Sequence, residues 1–244
     1  MLSDDAAVQS LDPTRRKDVN IVEAMGGELS LMQQSPPGFL ARFIGGQLRN
    51  SLMKETAFTG FYIDDAWLKS RKREAADGVP FVSTNDCVVS EFCTRLGCDV
   101  ALMAINFRGK IDGCGADLVG NYEDLLAYTP EDYATPARIR ESVAAAPYMR
   151  ATGAPLPTNF QHLSATYGAI TNWTTFARPL KGFDQELHVP LLDWQASTPA
   201  SCFGAMVIFR PREHKIAAFV AGRRDFVDAV KASGLVGYPL ELAM

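Results

Sequence analysis

The sequence predicts an α/β fold with two layers, in which a mixed β-sheet is covered by helices. The segment Asp99–Phe107 is apolar almost throughout, which is typical of a strand covered on both faces. Two more apolar segments, Phe203–Arg210 and Lys215–Gly222, are joined by a short polar turn and predict a β-hairpin. N-capping residues near Thr84 and at Thr135 precede amphipathic segments, which predicts covering helices there.

The chain is expected to divide at about residue 56. Residues 1–56 lack sustained periodicity and predict an irregular lead-in with one helix at about Phe39–Leu52. Residues 57–244 are expected to form the folded domain, whose first strand is predicted at Phe58–Ile63. The following stretch, Asp64–Arg71, begins with two N-capping aspartates and predicts a helix.

The remaining elements follow in chain order. Thr84–Leu96 carries apolar residues close to helical spacing after its capping residues, and Asp99–Phe107 is expected at the centre of the sheet. Residues 109–135 are rich in Gly and Asp and predict a loop. A helix is predicted from Pro136 to about Ala145, with proline at its first position. Asp225–Ser233 predicts a closing amphipathic helix.

Composition limits the classes of function. The chain has 244 residues, of which 47% are hydrophobic and 21% charged, as in ordinary soluble globular proteins. Its formal net charge of -4 gives no electrostatic reason to expect a nucleic-acid partner. No apolar run approaches the roughly 20 residues that cross a bilayer, and the polar N-terminus lacks the pattern of a secretory signal. We therefore expect a cytoplasmic protein with neither nucleic-acid nor membrane partners.

The cysteines indicate no metal centre. The sequence contains 5 cysteines, and they show neither a CxxC pair nor zinc-ligand spacing with histidine. We expect them to be reduced and mostly buried, with no metal site.

Four segments, in this order, resemble the second half of the BAHD acyltransferases, which belong to the chloramphenicol-acetyltransferase-like superfamily together with peptide-synthetase condensation domains. They span roughly Phe58–Val230 with their flanking elements. The first segment, Val82–Asp86, resembles the family's "STND", and the second, Ala104–Arg108, resembles "vNxR". The third combines Val119–Tyr122, which resembles "fGN", and Ile139–Val143, which resembles the helix "IReai". The fourth, Ile170–Trp173, resembles "TSW". An ordered set of this kind is improbable by chance, although each segment alone is a weak signal.

The resemblance implies one lobe of the chloramphenicol-acetyltransferase-like fold and assigns roles to particular residues. Thr171 is implied as the donor that stabilises the oxyanion of the tetrahedral intermediate, and Trp173 as a residue of the acceptor pocket. The alternative from residue types alone is a structural threonine at a strand end and a core tryptophan. Structural roles are implied for Asn85, Asp86, Asn106, Arg108, Gly120, Asn121 and Asp184.

Arg108 is a special case among these. In the family this arginine pairs with the aspartate of a histidine motif, HxxxD, for which this chain has no match. An unpaired arginine near a core strand is costly, so we expect Arg108 to find another acid, Asp99 or Asp112, or to extend to solvent.

Two departures limit the resemblance. The family's "DFGWGxP" corresponds here to Asp184–Pro190, in which only the first and last positions agree. None of the three histidines, His162, His188 and His214, is followed by an aspartate at the HxxxD spacing. In the family that motif lies in the first lobe, so the resemblance implies that a whole lobe is missing rather than a single residue.

One dense basic cluster could hold the phosphates of coenzyme A. It consists of Lys69, Arg71, Lys72 and Arg73. Side chains of this kind bind phosphate, although a short charge run at a helix end more commonly forms a solvated face.

These observations lead to competing hypotheses. The leading one is half of a coenzyme A-dependent O- or N-acyltransferase, with acyl-CoA as co-substrate and no bound cofactor, which is active only with a complementing lobe or not at all. The alternative is a non-catalytic binding or structural subunit of a larger complex. A lone lobe is expected to expose apolar surface, covered by the complementing lobe or in a homo-oligomer. Residues near Trp173 and those of the lead-in helix, Phe39, Phe43 and Leu48, are expected on that surface unless the lead-in itself covers it.

Overall fold

A computed structural model describes residues 21–27, 29–75, 78–112, 114–115, 122–175, 189–190 and 202–240. The helices in these ranges are α1 (Leu31–Gln34), α2 (Pro37–Met53), α3 (Asp65–Glu74), α4 (Thr84–Leu96), α5 (Pro130–Tyr133), α6 (Pro136–Val143), α7 (Asn159–His162) and α8 (Arg224–Lys231). The strands are β1 (Thr56–Ile63), β2 (Val100–Asn106), β3 (Glu123–Tyr128), β4 (Tyr167–Asn172), β5 (Phe203–Arg212), β6 (Lys215–Arg223) and β7 (Val236–Pro239). The predicted order of strands and helices is confirmed, with additions described below.

The strands of the described residues form one mixed sheet in the order β3-β2-β4-β5-β6-β1-β7. β4 lies between β2 and β5 and is parallel to both, whereas the other neighbouring pairs are antiparallel. β5 and β6 form the predicted hairpin, with Ile208 opposite Ala218. The mixed α/β sheet expected from the sequence, which contains β2, β5 and β6 together, is confirmed.

Two edge strands were not predicted. Glu123–Tyr128 lies within the stretch predicted as loop, yet it forms β3 and pairs with β2 along its whole length. β2 is therefore second from an edge of the sheet, and the prediction that Asp99–Phe107 forms its centre is wrong. Val236–Pro239 adds β7 at the opposite edge, beside β1. Both are short edge strands, which show little apolar alternation in their own sequence. Their strand structure depends on pairing with a longer neighbour, so the local sequence did not predict it.

One face of the sheet is covered by α3, α4, α6 and α8, and the main core lies between them. Val88 and Phe92 of α4 and Val227 of α8 pack in this core against Ala218 and Val220 of β6. All five cysteines are free and buried, as expected from their spacing. Among the described residues, no helix combines the length and apolar character needed to span a membrane.

The lead-in helix α2 lies against part of the opposite face, together with the short helix α7. Phe39 is only 2% exposed and makes an edge-on contact with Tyr167, with ring centroids 5.1 Å apart. Tyr167 stacks in turn on Phe203 at 4.8 Å. Gly38 allows the close approach of α7, because a Cβ at this position would stand 1.9 Å from the carbonyl oxygen of Asn159. The lead-in therefore contributes to the core of the domain.

Candidate functional site

The candidate site is built around the carboxyl end of β4, where the segment resembling "TSW" lies. Thr171 and Asn172 are the last residues of the strand, and Trp173 donates its backbone N–H to the carbonyl of Ile208 at 2.7 Å. The side chain of Asn172 donates to Asn85 Oδ1 at 3.0 Å and accepts the backbone N–H and the hydroxyl of Thr174 at 3.0 and 2.7 Å. Asn172 therefore fixes the strand end against the first turn of α4.

Thr171 and Trp173 lie next to each other but in different surroundings. Thr171 is partly exposed, and no hydrogen bond of its hydroxyl is seen within the described ranges. Trp173 packs against a buried apolar cluster that includes Val207 and Phe219. A partly exposed hydroxyl at the end of an interior strand is suited to donate to a bound group, while the indole forms an apolar wall beside it.

The beginning of α4 is held by an interaction that joins two of the resembling segments. Ser83 is the N-cap and Asp86 accepts its backbone N–H at 2.7 Å, which completes a capping box. The predicted start at Thr84 is therefore one residue from the observed cap. Asp86 is fully buried, accepts the Nε–H of Arg140 at 2.8 Å, and forms an ion pair with Nη2 of Arg140 at 2.7 Å. The Arg140 guanidinium lies 4.7 Å from the ring centroid of Phe81.

The "vNxR"-like segment ends β2 on the other side of the site. Asn106 accepts the backbone N–H of Arg108 through its side chain at 3.0 Å, which turns the chain at the strand end. The Arg108 guanidinium lies 5.3 Å from the centroid of the Tyr122 ring. Asp99, one of the two acids considered for Arg108, accepts the backbone N–H of Thr166 at 2.8 Å. These contacts of Asn106 and Arg108 hold the end of β2 and the turn that follows it.

The basic cluster lies in the second half of α3 and is divided between two environments. Lys72 donates to the hydroxyl of Thr84 at 3.0 Å and so reaches the N-terminus of α4. Arg71 lies 3.8 Å from Glu74, and its Nε is buried with no hydrogen-bond partner within the described ranges. Lys69 and Arg73 are exposed. Only Arg71 and Lys72 are therefore directed toward other parts of the fold.

Neither histidine in the described part of the chain lies at the end of β4. His162 is 2% exposed, and its Nδ1 is 2.7 Å from the hydroxyl of Tyr167 at the start of the strand. Burial lowers the pKa of His162. Tyr167 and Thr171 are separated by about 13 Å along the strand at ~3.3 Å per residue. His214 is exposed in the hairpin turn between β5 and β6.

Gly120, Asn121, Asp184 and His188 lie outside the described residues. Within the described ranges, no three His, Cys, Asp or Glu side chains are grouped so that they could hold a metal ion.

Sequence reasoning assigned no role to Asn172 or Arg140, although both lie within the quoted segments. The residue types could have indicated these contacts. The amide of Asn and the guanidinium of Arg can each form several hydrogen bonds, and such groups near the ends of strands and helices commonly bind neighbouring polar groups.

Comparison with known proteins supports the fold. No protein-family model matches the chain, and no curated protein matches it. The crystal structure of vinorine synthase aligns with a TM-score of 0.51 and 16% identity over 76% of this chain and 49% of that chain. The chain therefore has the α/β fold of BAHD-type acyltransferase lobes, as its sequence segments indicated.

Two other solved structures align less closely. F. graminearum TRI101, solved with coenzyme A and T-2 mycotoxin, gives a TM-score of 0.43 and 14% identity over 73% of this chain and 48% of that chain. A condensation domain that releases chains from the enacyloxin polyketide synthase aligns with a TM-score of 0.35 and 12% identity. This alignment covers 78% of this chain and 44% of that chain. The chain spans about half the length of the solved structures it matches.

Proposed function

We propose that this chain is one half of a coenzyme A-dependent O- or N-acyltransferase, which binds acyl-CoA and works with a complementing lobe that supplies the general base. The observation that carries the proposal is the hydrogen bond of 3.0 Å between Asn172 and Asn85. It holds the end of β4, with Thr171 and Trp173, beside the N-terminus of α4. The fold supports this reading, since three of the resembling segments within the described residues are joined by contacts of Asn85 with Asn172 and of Asp86 with Arg140.

Thr171 is proposed to act on the oxyanion. When an alcohol or amine attacks the thioester carbonyl, the oxygen gains negative charge, and a preorganised donor there typically raises the rate by roughly 10²–10³-fold. A base takes the proton of the attacking group, the C–S bond breaks, and the proton passes to the departing thiolate of coenzyme A. Among the described residues, neither histidine is near Thr171, so the proposal assigns the base to the complementing lobe.

The phosphates of coenzyme A are proposed to bind where α3 meets the N-terminus of α4. Lys72 already reaches Thr84 in the first turn of α4, and the helix N-terminus attracts anions through its dipole. Arg71, whose side chain is partly exposed, adds a second positive charge on the same helix as Lys72. Lys69 and Arg73 contribute long-range charge. The protein is further proposed to be cytoplasmic, where acyl-CoA and five reduced cysteines are both expected.

Binding of acetyl-CoA to the chain tests the phosphate site. Titration calorimetry should show binding that weakens about 10-fold or more in Lys72→Ala, because a charge-assisted phosphate contact contributes about 1.5–3 kcal/mol. The control is Lys231→Ala, which removes an exposed lysine from α8 in the same layer and should leave binding unchanged. Equal binding by the wild type and Lys72→Ala would contradict this phosphate site. No binding at all would favour a structural subunit.

Acyl transfer tests the role of Thr171. The isolated chain is expected to transfer no acyl group, and activity is expected once a polypeptide bearing HxxxD from the same source is added. In that mixture, Thr171→Val should lower kcat by roughly 10²–10³-fold, because valine keeps the strand shape but lacks the donor. Thr59→Val, on β1 three strands away, is the matched control. Turnover by the chain alone, lost on substitution of any of its histidines, would refute the need for a complementing lobe.

A further inference from the structure

The lead-in helix α2 is apolar on two opposite faces. Its inner face packs on the sheet through Phe39, which is buried. Its outer face presents a row of large apolar side chains at a spacing of four residues: Leu40, Ile44, Leu48 and Leu52, which are 43%, 66%, 63% and 73% exposed. Among the described residues, nothing covers this outer face, which is therefore an exposed apolar surface.

The outer face carries no charge. The helix Pro37–Met53 contains two charged residues, and both lie at the flank of the row. Arg42 donates to the carbonyl of Ala165 at 3.1 Å, and Arg49 forms a two-point ion pair with Glu55 at 2.9 and 3.0 Å. Both guanidinium groups are therefore engaged within the same chain. A partner of opposite charge would gain little selectivity at this face.

The area of the face is close to that of the largest apolar patch of an ordinary monomer. The row presents roughly 500 Å², if a large apolar residue exposes about 200 Å². The largest apolar patch of a typical monomer covers about 300–600 Å² and is often functional. A standard protein interface covers about 800 Å² on each partner. The row therefore supplies more than half of one side of a stable interface.

We propose that the outer face of α2 binds the same face of a second copy of this chain, which forms a two-fold symmetric dimer. Side chains spaced by four residues form ridges, and two identical ridge sets interdigitate at a crossing angle near −50°. A two-fold symmetric dimer needs a self-complementary surface, because the same patch of both copies forms the interface. If a residue of one copy contacts a second residue of the other copy, the reverse contact is also made. Ala41 and Gly45 are exposed on the same face, and a Cβ on Gly45 would touch nothing, so the two helix backbones can approach closely.

The dimer face is separate from the candidate site. Phe39 of α2 packs on Tyr167 at the start of β4, whereas Trp173 follows the end of that strand. The two positions are about 20 Å apart along the strand direction at ~3.3 Å per residue. Dimerisation through α2 and binding of a complementing lobe near Trp173 can therefore occur together, and either can fail without the other.

The sequence-based expectation for this helix is corrected in one respect. Phe39, Phe43 and Leu48 were expected on a single exposed surface. Phe39 instead faces the sheet, Phe43 makes an edge contact with Phe203 at 5.5 Å, and Leu48 faces solvent. The exposed surface is the opposite side of the helix.

Sedimentation velocity of the purified chain across the micromolar range tests the dimer. The wild type should sediment as a concentration-dependent dimer, and Ile44→Glu and Leu48→Glu should each weaken association by about 100-fold or more, because each places two unpaired carboxylates in one apolar interface. Since both residues are exposed in the single chain, their variants should keep the wild-type circular dichroism and melting temperature in the monomeric range. Ala66→Glu adds the same charge to exposed α3 on the other side of the sheet and should leave the dimer intact.

Three outcomes would overturn the proposal. The first is a wild-type chain that stays monomeric throughout the range. The second is a dimer that survives both substitutions on α2, which would place the contact elsewhere. The third is a monomer that cosediments with phosphatidylcholine vesicles and loses this binding in Leu48→Glu, which would assign the face to a lipid surface.

Discussion

Replacing Asp86 by alanine is expected to lower the free energy of unfolding by about 3–5 kcal/mol. This carboxylate is fully buried, caps the first turn of α4 through the backbone N–H of Ser83, and pairs with Arg140 at 2.7 Å. Arg140 is itself largely buried, with 17% of its side chain exposed. Alanine would leave this guanidinium without its partner and remove the cap, and each loss is destabilising by itself.

Urea denaturation at neutral pH measures this effect. The matched control is Asp65→Ala, which also removes an aspartate from the first turn of a helix and also breaks an ion pair, to Lys215. Asp65 is 58% exposed, so its loss should cost no more than about 1 kcal/mol. If Asp86→Ala were as stable as this control, Asp86 would not be the link that fixes α4 to α6.

A comparable loss is expected for Asp132, with a dependence on pH. This buried carboxylate accepts the backbone N–H and hydroxyl of Thr129, both at 2.8 Å, and the backbone N–H of Thr152 at 3.0 Å. Arg150 approaches it at 3.4 Å. Burial raises the pKa of Asp132, but the hydrogen bonds from Thr152 and Thr129 outweigh burial, and the net pKa is lowered. Asp132→Asn should lower the free energy of unfolding at pH 7 by about 2–4 kcal/mol.

The direction of the pH effect follows from the lowered pKa. A carboxylate whose pKa is lower in the folded chain contributes full stability above its unfolded pKa, about 3.9, and loses it as the pH falls through the folded value. The difference in stability between the wild type and Asp132→Asn should therefore shrink on acidification below about pH 4. Urea melts from pH 7 downward measure it. Asp228→Asn, 64% exposed, should show no such change. A difference that stays constant with pH would contradict the role of the ionised carboxylate.

Local signals predicted β2, the β5–β6 hairpin and the main helices, whereas the interior strand β4 was not predicted. The prediction for α6 was confirmed because Thr135 accepts the backbone N–H of Arg138 and Pro136 occupies the first helical position. The β5–β6 hairpin was confirmed because two apolar segments separated by a polar turn have few other stable arrangements. These elements depend on interactions within a few residues, which the sequence displays directly.

Elements that depend on distant neighbours were missed. β3 and β7 are edge strands that exist through pairing with β2 and β1, so their own residues gave little indication. The same reason explains why β2 was wrongly predicted at the centre of the sheet. Its position depends on which strands pair beside it, and the pairing of β3 was not predicted. The lead-in helix α2 was predicted, but its packing on Tyr167, more than a hundred residues away along the chain, was not.

The sequence by itself determined the α/β class, the approximate limits of the main helices, and the set of segments that resemble an acyltransferase lobe. It also identified Thr171 and Trp173 as candidates, because they stand in a recognisable segment. Only the tertiary structure decided that Asn85 meets Asn172, and that Asp86 meets Arg140. Helix caps and strand alternation are local and leave a pattern in the chain, whereas hydrogen bonds between distant residues require the folded sheet to bring their partners together.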